Sequence, residues 1–297
     1  MDQWVVETND LRKAYGKQRA VDGLTLRVPA GSIYGFLGKN GAGKTTTIEL
    51  LLNIVKPDSG AASVFGVPIT DVGRSTEQRR RIGFVSEEKG LYPYMTVDQM
   101  IRFTRPFFPK WQMHLERRYL EMFELPLKKR VGDLSKGMAS KLMLLLALAR
   151  NADLLILDEP TDGLDPTVVD DVLRELVALV ASQGITIFFS SHQLHEVEQI
   201  ADHVCIVDRG RAVVSGSLDE LKTQYQRIQV VLENELHTPV HWVDGVAQVR
   251  LEGRTMSLLV SRNLEAILAQ VRSLPTASTE QYPVSLKEIF METVRNN

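Results

Sequence analysis

Gly38-Lys39-Asn40-Gly41-Ala42-Gly43-Lys44-Thr45 stands directly behind the apolar run Ser32-Ile33-Tyr34-Gly35-Phe36-Leu37 and opens a helical stretch, Thr45 to Asn53. The octet fits G-x-x-x-x-G-K-[ST]. Its glycines let successive backbone N–H groups curl around phosphate oxygens, and the helix N-terminus adds its dipole. On this reading Lys44 reaches the β/γ-phosphates and the Thr45 hydroxyl ligates Mg²⁺. A glycine-rich turn that merely links strand to helix is the plain alternative. The strand and helix on either side argue against it, and average residue frequencies produce the pattern by chance in roughly one chain in a hundred of this length.

Outward from the octet, the runs Leu154-Leu155-Ile156-Leu157, Ile185-Thr186-Ile187-Phe188-Phe189 and Val204-Cys205-Ile206-Val207 are also short and nearly all apolar. Strands covered on both faces read this way. Up to about residue 217 they alternate with amphipathic helical stretches, which argues for a parallel α/β sheet. Leu154 to Leu157 runs into Asp158-Glu159. At the end of a strand beside the phosphate loop, Asp158 would hold Mg²⁺ through water, and Glu159 could orient and deprotonate an attacking water. Taken alone, paired acids after a strand are usually a solvated turn; the phosphate loop upstream reverses that reading.

Between Pro93 and Arg130 the texture changes to aromatics, charges and Leu/Met at helical spacing, a helical insertion. After Ser217 it changes again. Gln229-Val230-Val231-Leu232 and Ser257-Leu258-Leu259-Val260 read as strands. Leu264, Ile267, Leu268 and Val271 lie on one helix face, and Leu286, Ile289 and Phe290 suggest a last short helix. This tail is a small α+β module with no catalytic signature.

Composition narrows the function classes. The chain has 297 residues, 44% hydrophobic and 24% charged, values of a globular protein of about two domains. Lys+Arg is 35 against Asp+Glu 37, a net charge of -2, so no whole-molecule basic field exists to hold nucleic acid. The single cysteine, Cys205, fits a reducing compartment and a buried strand. The longest wholly apolar run, Leu142 to Ala149, is far short of the ~20 residues of a bilayer span, and Asp2, Glu7 and Asp10 stand where a signal peptide would be apolar.

Leu134-Ser135-Lys136-Gly137-Met138, followed by Lys141, resembles the signature motif of the ABC ATPases. Gly163-Leu164-Asp165-Pro166 resembles their D-loop, and Ser191-His192 their switch histidine. With the phosphate loop and the Asp158-Glu159 strand, all occur in the order of that family and at similar spacing. The resemblance covers residues 4 to about 217. It is nearest to the separately encoded ATPase subunits of bacterial exporter-type ABC transporters, some of which carry a similar C-terminal extension. It implies an α/β P-loop NTPase: a RecA-like core, an antiparallel β subdomain and a helical insertion (about 93–150) within an ATPase domain 1–217. Residues 218–297 would be an accessory or regulatory module.

The resemblance also implies roles, residue by residue. ATP would be held by Gly38, Lys39, Asn40, Gly41, Ala42, Gly43, Lys44 and Thr45, with Thr46 on the α-phosphate and Tyr15 stacked on adenine, unless Tyr15 is core packing. Ser135, Lys136, Gly137 and Met138 would serve the nucleotide of a second chain, so that two chains sandwich two ATP molecules head to tail. Asp165 would cross that interface. His192 would contact the γ-phosphate and hold Glu159 and its water in line. A separately encoded transmembrane permease is the implied partner, and the cytoplasmic face of the cell membrane the implied location.

Four positions depart from the family pattern. Glu87, after the run Ile82-Gly83-Phe84-Val85-Ser86, stands where a glutamine is usual, and would either ligate Mg²⁺ or face the membrane subunit. Lys136 and Met138 replace the commoner glycine and glutamine; Lys39 replaces a common proline. The remaining candidates carry less. His192-x-x-His195 lacks the cysteines or acids of a zinc site. Arg79-Arg80-Arg81 reads as a solvated face. Tyr92, Tyr94, Phe103, Phe107, Phe108 and Trp111 are divided between core and a groove for a membrane partner. A soluble ABC ATPase remodelling a protein complex, of the iron–sulfur assembly kind, is the second reading. A small-molecule kinase would need an acceptor pocket and a lid arginine in place of the signature and His192.

Overall fold

The four apolar runs become neighbouring strands of one sheet, as strands without a polar side must. The computed structural model describes residues 4–71, 73–87, 90–234 and 240–295, and the chain divides into two units between Ser215 and Gly216. The first unit opens with a long hairpin, β1 (Trp4–Tyr15) and β2 (Gln18–Pro29), then β3 (Ile33–Leu37) and α1 (Lys44–Leu51). There follow β4 (Ser59–Val64), β5 (Val67–Pro68), α2 (Ser75–Arg80) and β6 (Ile82–Val85). Next come the helices α3 (Val97–Thr104), α4 (Met113–Met122) and α5 (Lys136–Leu148). The unit ends with β7 (Leu154–Asp158), α6 (Pro166–Gln183), β8 (Thr186–Ser191), α7 (Leu194–Ile200), β9 (His203–Asp208) and β10 (Arg211–Ser217), whose last two residues pass the boundary.

Two sheets result. β2-β1-β4-β5 is antiparallel, and β10-β9-β3-β8-β7-β6 has a parallel centre from β9 to β6. The register positions the chemistry. Leu37 pairs with Ser191 and Asp158 with Ser190, so the phosphate loop, the two acids and His192 leave the sheet from neighbouring strand ends. Open α/β sheets bind ligands at that carboxyl edge. One core cluster draws on both sheets and on α1, whose Ile48 and Leu50 are fully buried between them.

The insertion is helical, as its texture predicts. α3 starts in a capping box, with Thr96 and Gln99 each satisfying the other's backbone N–H. α4 is tied down by Glu116, which takes Arg105 and the Trp111 indole N–H, and by the Tyr119 hydroxyl on Glu175 of α6 at 2.7 Å. α5 is apolar around most of its girth, and from Leu144 to Leu148 every residue is buried, the condition of a core helix.

The second unit contains α8 (Leu218–Gln224), β11 (Gln226–Leu232), β12 (Val246–Glu252), β13 (Thr255–Val260), α9 (Leu264–Arg272), β14 (Thr276–Pro283) and α10 (Leu286–Arg295). Its antiparallel sheet has the order β12-β13-β11-β14. The two strands legible in sequence are the central ones. β12 and β14 escape a hydrophobicity reading because they are edges: β14 exposes every side chain after Thr276 and carries polar residues, as unpaired edges do. Ile228, Val230, Leu258, Val260, Ile267 and Val271 form a separate core. Among the described residues, no helix of the molecule is long and apolar enough to cross a membrane.

Candidate active site

The phosphate loop turns from β3 into α1 through Gly43, which has φ 102° and caps the helix. A Cβ there would lie 2.1 Å from the Ala20 carbonyl oxygen, so both the conformation and the close approach require glycine. Lys44 is only 7% exposed. A buried ammonium needs partners, and Lys44 Nζ donates to the Gly38 carbonyl at 2.9 Å and lies 3.2 Å from Glu159 Oε1.

Glu159, directly after β7, is therefore a neighbour of the loop. Its other oxygen, Oε2, is held by His192 twice, through the backbone N–H at 3.3 Å and through Nδ1 at 2.9 Å. Glu159 has φ 48°, a left-handed conformation that non-glycine residues adopt at a cost of roughly 1 kcal/mol or more. Ser190 supports this turn: its hydroxyl donates to Asp158 Oδ1 and accepts the Glu159 N–H at 3.1 Å. One fully buried hydroxyl thus orients both acids. Nothing in the sequence marked Ser190; its place opposite Asp158 comes from the pairing of β7 with β8.

Asp158 is 1% exposed, and its Oδ2 is buried without a hydrogen-bond partner. Burial pushes its carboxyl above the ordinary 3.8, and the hydroxyls of Ser190 and Thr45 pull it back. An orphaned carboxylate oxygen beside a threonine hydroxyl is a donor set that suits Mg²⁺. That ion keeps several waters and takes one or two protein oxygens plus substrate phosphates.

Tyr15, Asn40, Gly41, Gly43, Lys44, Thr45, Thr46, Glu87 and Glu159 line one cleft of about 390 Å³, joined by Gln18 and Ala20 from the β1–β2 hairpin, which the sequence reading missed. Tyr15 is 50% exposed at this cleft, not core packing. Lys39 is exposed on the loop, and Gly38 and Ala42 pack beneath it instead of lining the cleft. Glu87 also borders a small crevice with Ser140, Glu159 and Asp162.

The signature residues lie apart from this cleft. Ser135 is the N-cap of α5, accepting the Met138 N–H at 3.2 Å, so its side chain stands at a helix N-terminus. Ser135 and Lys136 are exposed and Gly137 and Met138 half-buried. Asp165 is exposed at the start of α6 with its side chain unused as a cap. A further buried pair links the loop after β7 to the first turn of α7: Thr161 donates to Glu196 at 2.6 Å, and burial raises the Glu196 carboxyl.

The other sequence candidates fall outside the site. His195 is exposed, and among the described residues no group of three or more His, Cys, Asp or Glu is placed to hold a metal. Arg81 is engaged by Asp153 and lies 3.9 Å over the Phe65 ring. Cys205 is wholly buried, its thiol pushed up to about 12 by burial. Tyr92, Tyr94, Phe103 and Phe107 are all more than 40% exposed and touch ring to ring in series. Phe107 and Phe108 meet Leu52, Ile54, Phe84 and Arg150 at a groove of about 370 Å³.

Comparison with known proteins covers both units. The family model described as ABC transporter matches residues 21–162, and the one described as ATP-binding protein DrrA1-3-like, C-terminal domain, matches residues 216–294. The bacitracin transport ATP-binding protein BcrA of Bacillus licheniformis is 36% identical over 301 residues, spanning 95% of this chain and 97% of that protein. Nod factor export ATP-binding protein I of Burkholderia orbicola is 37% identical over 304 residues, 96% of this chain and 95% of that one. A solved structure of an ATP-binding subunit of an ABC transporter superposes with TM-score 0.67 at 31% identity, covering 74% of this chain and 92% of its own.

Proposed function

This chain belongs to the ABC transporter family of ATP-binding subunits, and from that membership we propose that it is the MgATP-hydrolysing subunit of an exporter. It works as a head-to-tail homodimer on the cytoplasmic face of the cell membrane and drives a separately encoded permease. Residues 1–217 are the ATPase domain and 218–297 an accessory or regulatory module. The relatives named for bacitracin transport and Nod factor export support the outward direction.

The observation that carries the catalytic reading is the Glu159 carboxylate, held between Lys44 and His192 at the mouth of the phosphate loop. The loop N–H groups and Lys44 bind the phosphates, and Tyr15 stacks on the base. Thr45 and Asp158 would hold Mg²⁺, which when bound offsets charge on the β- and γ-phosphates. Glu159 orients the attacking water and takes its proton; His192 fixes the carboxylate toward it. Ser135 and the Gly137 N–H, at the N-terminus of α5, do not line the cleft of their own chain. They stabilise the γ-phosphate held by the partner subunit, while Asp165 reaches across the interface. Each site is thus complete only in the closed dimer, and hydrolysis reopens it.

The exposed aromatic series from Tyr92 to Phe107 and the adjoining groove are the surface proposed to receive the permease, because large apolar patches beside polar surroundings mark interaction sites. Capture of the tagged chain from detergent-solubilised membranes tests this. Recovery of a polytopic membrane protein that raises MgATP turnover supports the proposal. Recovery only with a soluble assembly complex would favour the remodelling ATPase instead.

A further inference from the structure

Lys136, one of the positions that depart from the family pattern, pairs with an acid on the loop that follows β7. Lys136 Nζ donates to Asp162 of the same chain, 26 residues away, and both Asp162 and the nearby charge of Glu87 hold the ammonium in its protonated form. The same junction is tied by backbone contacts. Ser140 Oγ lies 3.1 Å from the Lys136 carbonyl and 3.1 Å from the Asp162 carbonyl, and a Cβ on Gly137 would lie 2.5 Å from the Gly163 carbonyl oxygen. The N-terminal turn of α5 is therefore seated on the Asp162-Gly163 turn. That turn begins three residues after Glu159.

The ion pair is exposed, so it adds little to stability. Its consequence is geometric. Ser135, at the start of α5, does not line its own cleft, whereas Asp162 belongs to the loop that carries Glu159. We propose that Lys136 is a positioning residue: it fixes the signature end of α5 to the Asp162-Gly163 turn in the same chain. Through this contact it governs hydrolysis of the nucleotide held by the partner subunit, not its own. The inference rests on the head-to-tail dimer proposed above.

A mixture of two full-length variants separates the two claims. Ser135→Asp spoils the signature of one chain, and Lys44→Ala spoils the phosphate loop of the other. Their mixed dimer keeps one complete site, built from the loop of the first and the signature of the second. If this mixture has no turnover above either variant alone, the head-to-tail reading itself fails. Given an active mixture, Asp162→Asn is added to one chain at a time. In the signature-supplying chain it should cut turnover roughly tenfold; in the nucleotide-holding chain it should change it less than about twofold. The charge-swapped pair K136E with D162K in the signature-supplying chain should recover most of what K136E alone loses. Equal losses from either chain, a loss only from the nucleotide-holding chain, or no recovery on swapping would each overturn the positioning role. Circular dichroism of each variant guards against misfolding, and Asp162→Asn, nearly isosteric, remains decisive if K136E folds poorly.

Discussion

His192 grips a single oxygen of Glu159 with both its backbone N–H and its ring Nδ1, at 3.3 and 2.9 Å. The carboxylate is also close to Lys44 Nζ through its other oxygen. Oε2 is thus held by two contacts, while the buried Oε1 faces the Lys44 ammonium without a hydrogen bond of its own. That is the geometry wanted of a base that must meet a water in line with a phosphate.

Glu159→Gln keeps the shape and an acceptor oxygen but loses the proton acceptor. Turnover should fall ~10²-fold or more, in keeping with loss of a general base. MgATP should still bind, and a dimer should accumulate because its exit step is blocked. Phosphate release and size-exclusion chromatography with MgATP measure the two effects; a variant that turns over normally removes Glu159 from the reaction.

Ser135 is a helix cap as well as a proposed ligand of the partner's γ-phosphate, so replacement by alanine would confuse folding with function. Aspartate is an equally good cap. Ser135→Asp should therefore leave thermal stability within about 0.5 kcal/mol of the parent chain and leave ATP binding to the monomer intact. It sets a negative charge against the phosphate, and turnover should drop at least ~10²-fold. Loss of monomer ATP binding would contradict the shared-site arrangement.

Glu87 lines the same cleft as Thr45 and Glu159. Hard cations prefer anionic oxygen, so Glu87→Gln should raise the Mg²⁺ concentration for half-maximal ATPase. It should also improve metal-free ATP binding, because like charges a few ångströms apart cost on the order of 1 kcal/mol even when well screened. Activity at saturating Mg²⁺ should survive through Thr45 and Asp158. Superimposable magnesium titrations would show that Glu87 acts elsewhere.

The buried Glu196 predicts a pH effect. Its carboxyl is raised above the ordinary 4.5, first by burial, so the folded chain binds its proton more tightly than the unfolded chain does. The stability this group contributes is fully present below about pH 4.5 and is lost as pH rises through the higher folded value. Glu196→Gln still accepts from Thr161 and does not ionise. Its urea midpoint, relative to the parent chain, should climb between about pH 4 and pH 7. A gap that stays constant with pH would mean that the carboxylate is not strained by its burial.

The sequence by itself determined the phosphate loop, the acid pair at a strand end, the histidine after a buried strand and the parallel sheet that unites them. Each is a local pattern: glycine spacing sets backbone conformation, and unbroken apolar runs announce two covered faces. The tail was legible only at its centre, since the edge strands β12 and β14 bury too little to leave a hydrophobic period. What tertiary structure alone decided are partnerships between distant side chains. Ser190 orients both acids because β7 and β8 are in register at Asp158; Thr161 meets Glu196; Lys136 meets Asp162; and Tyr15 comes to the cleft from a separate sheet. Such pairings depend on strand register and helix seating across 26 to 35 residues, and no local period encodes those.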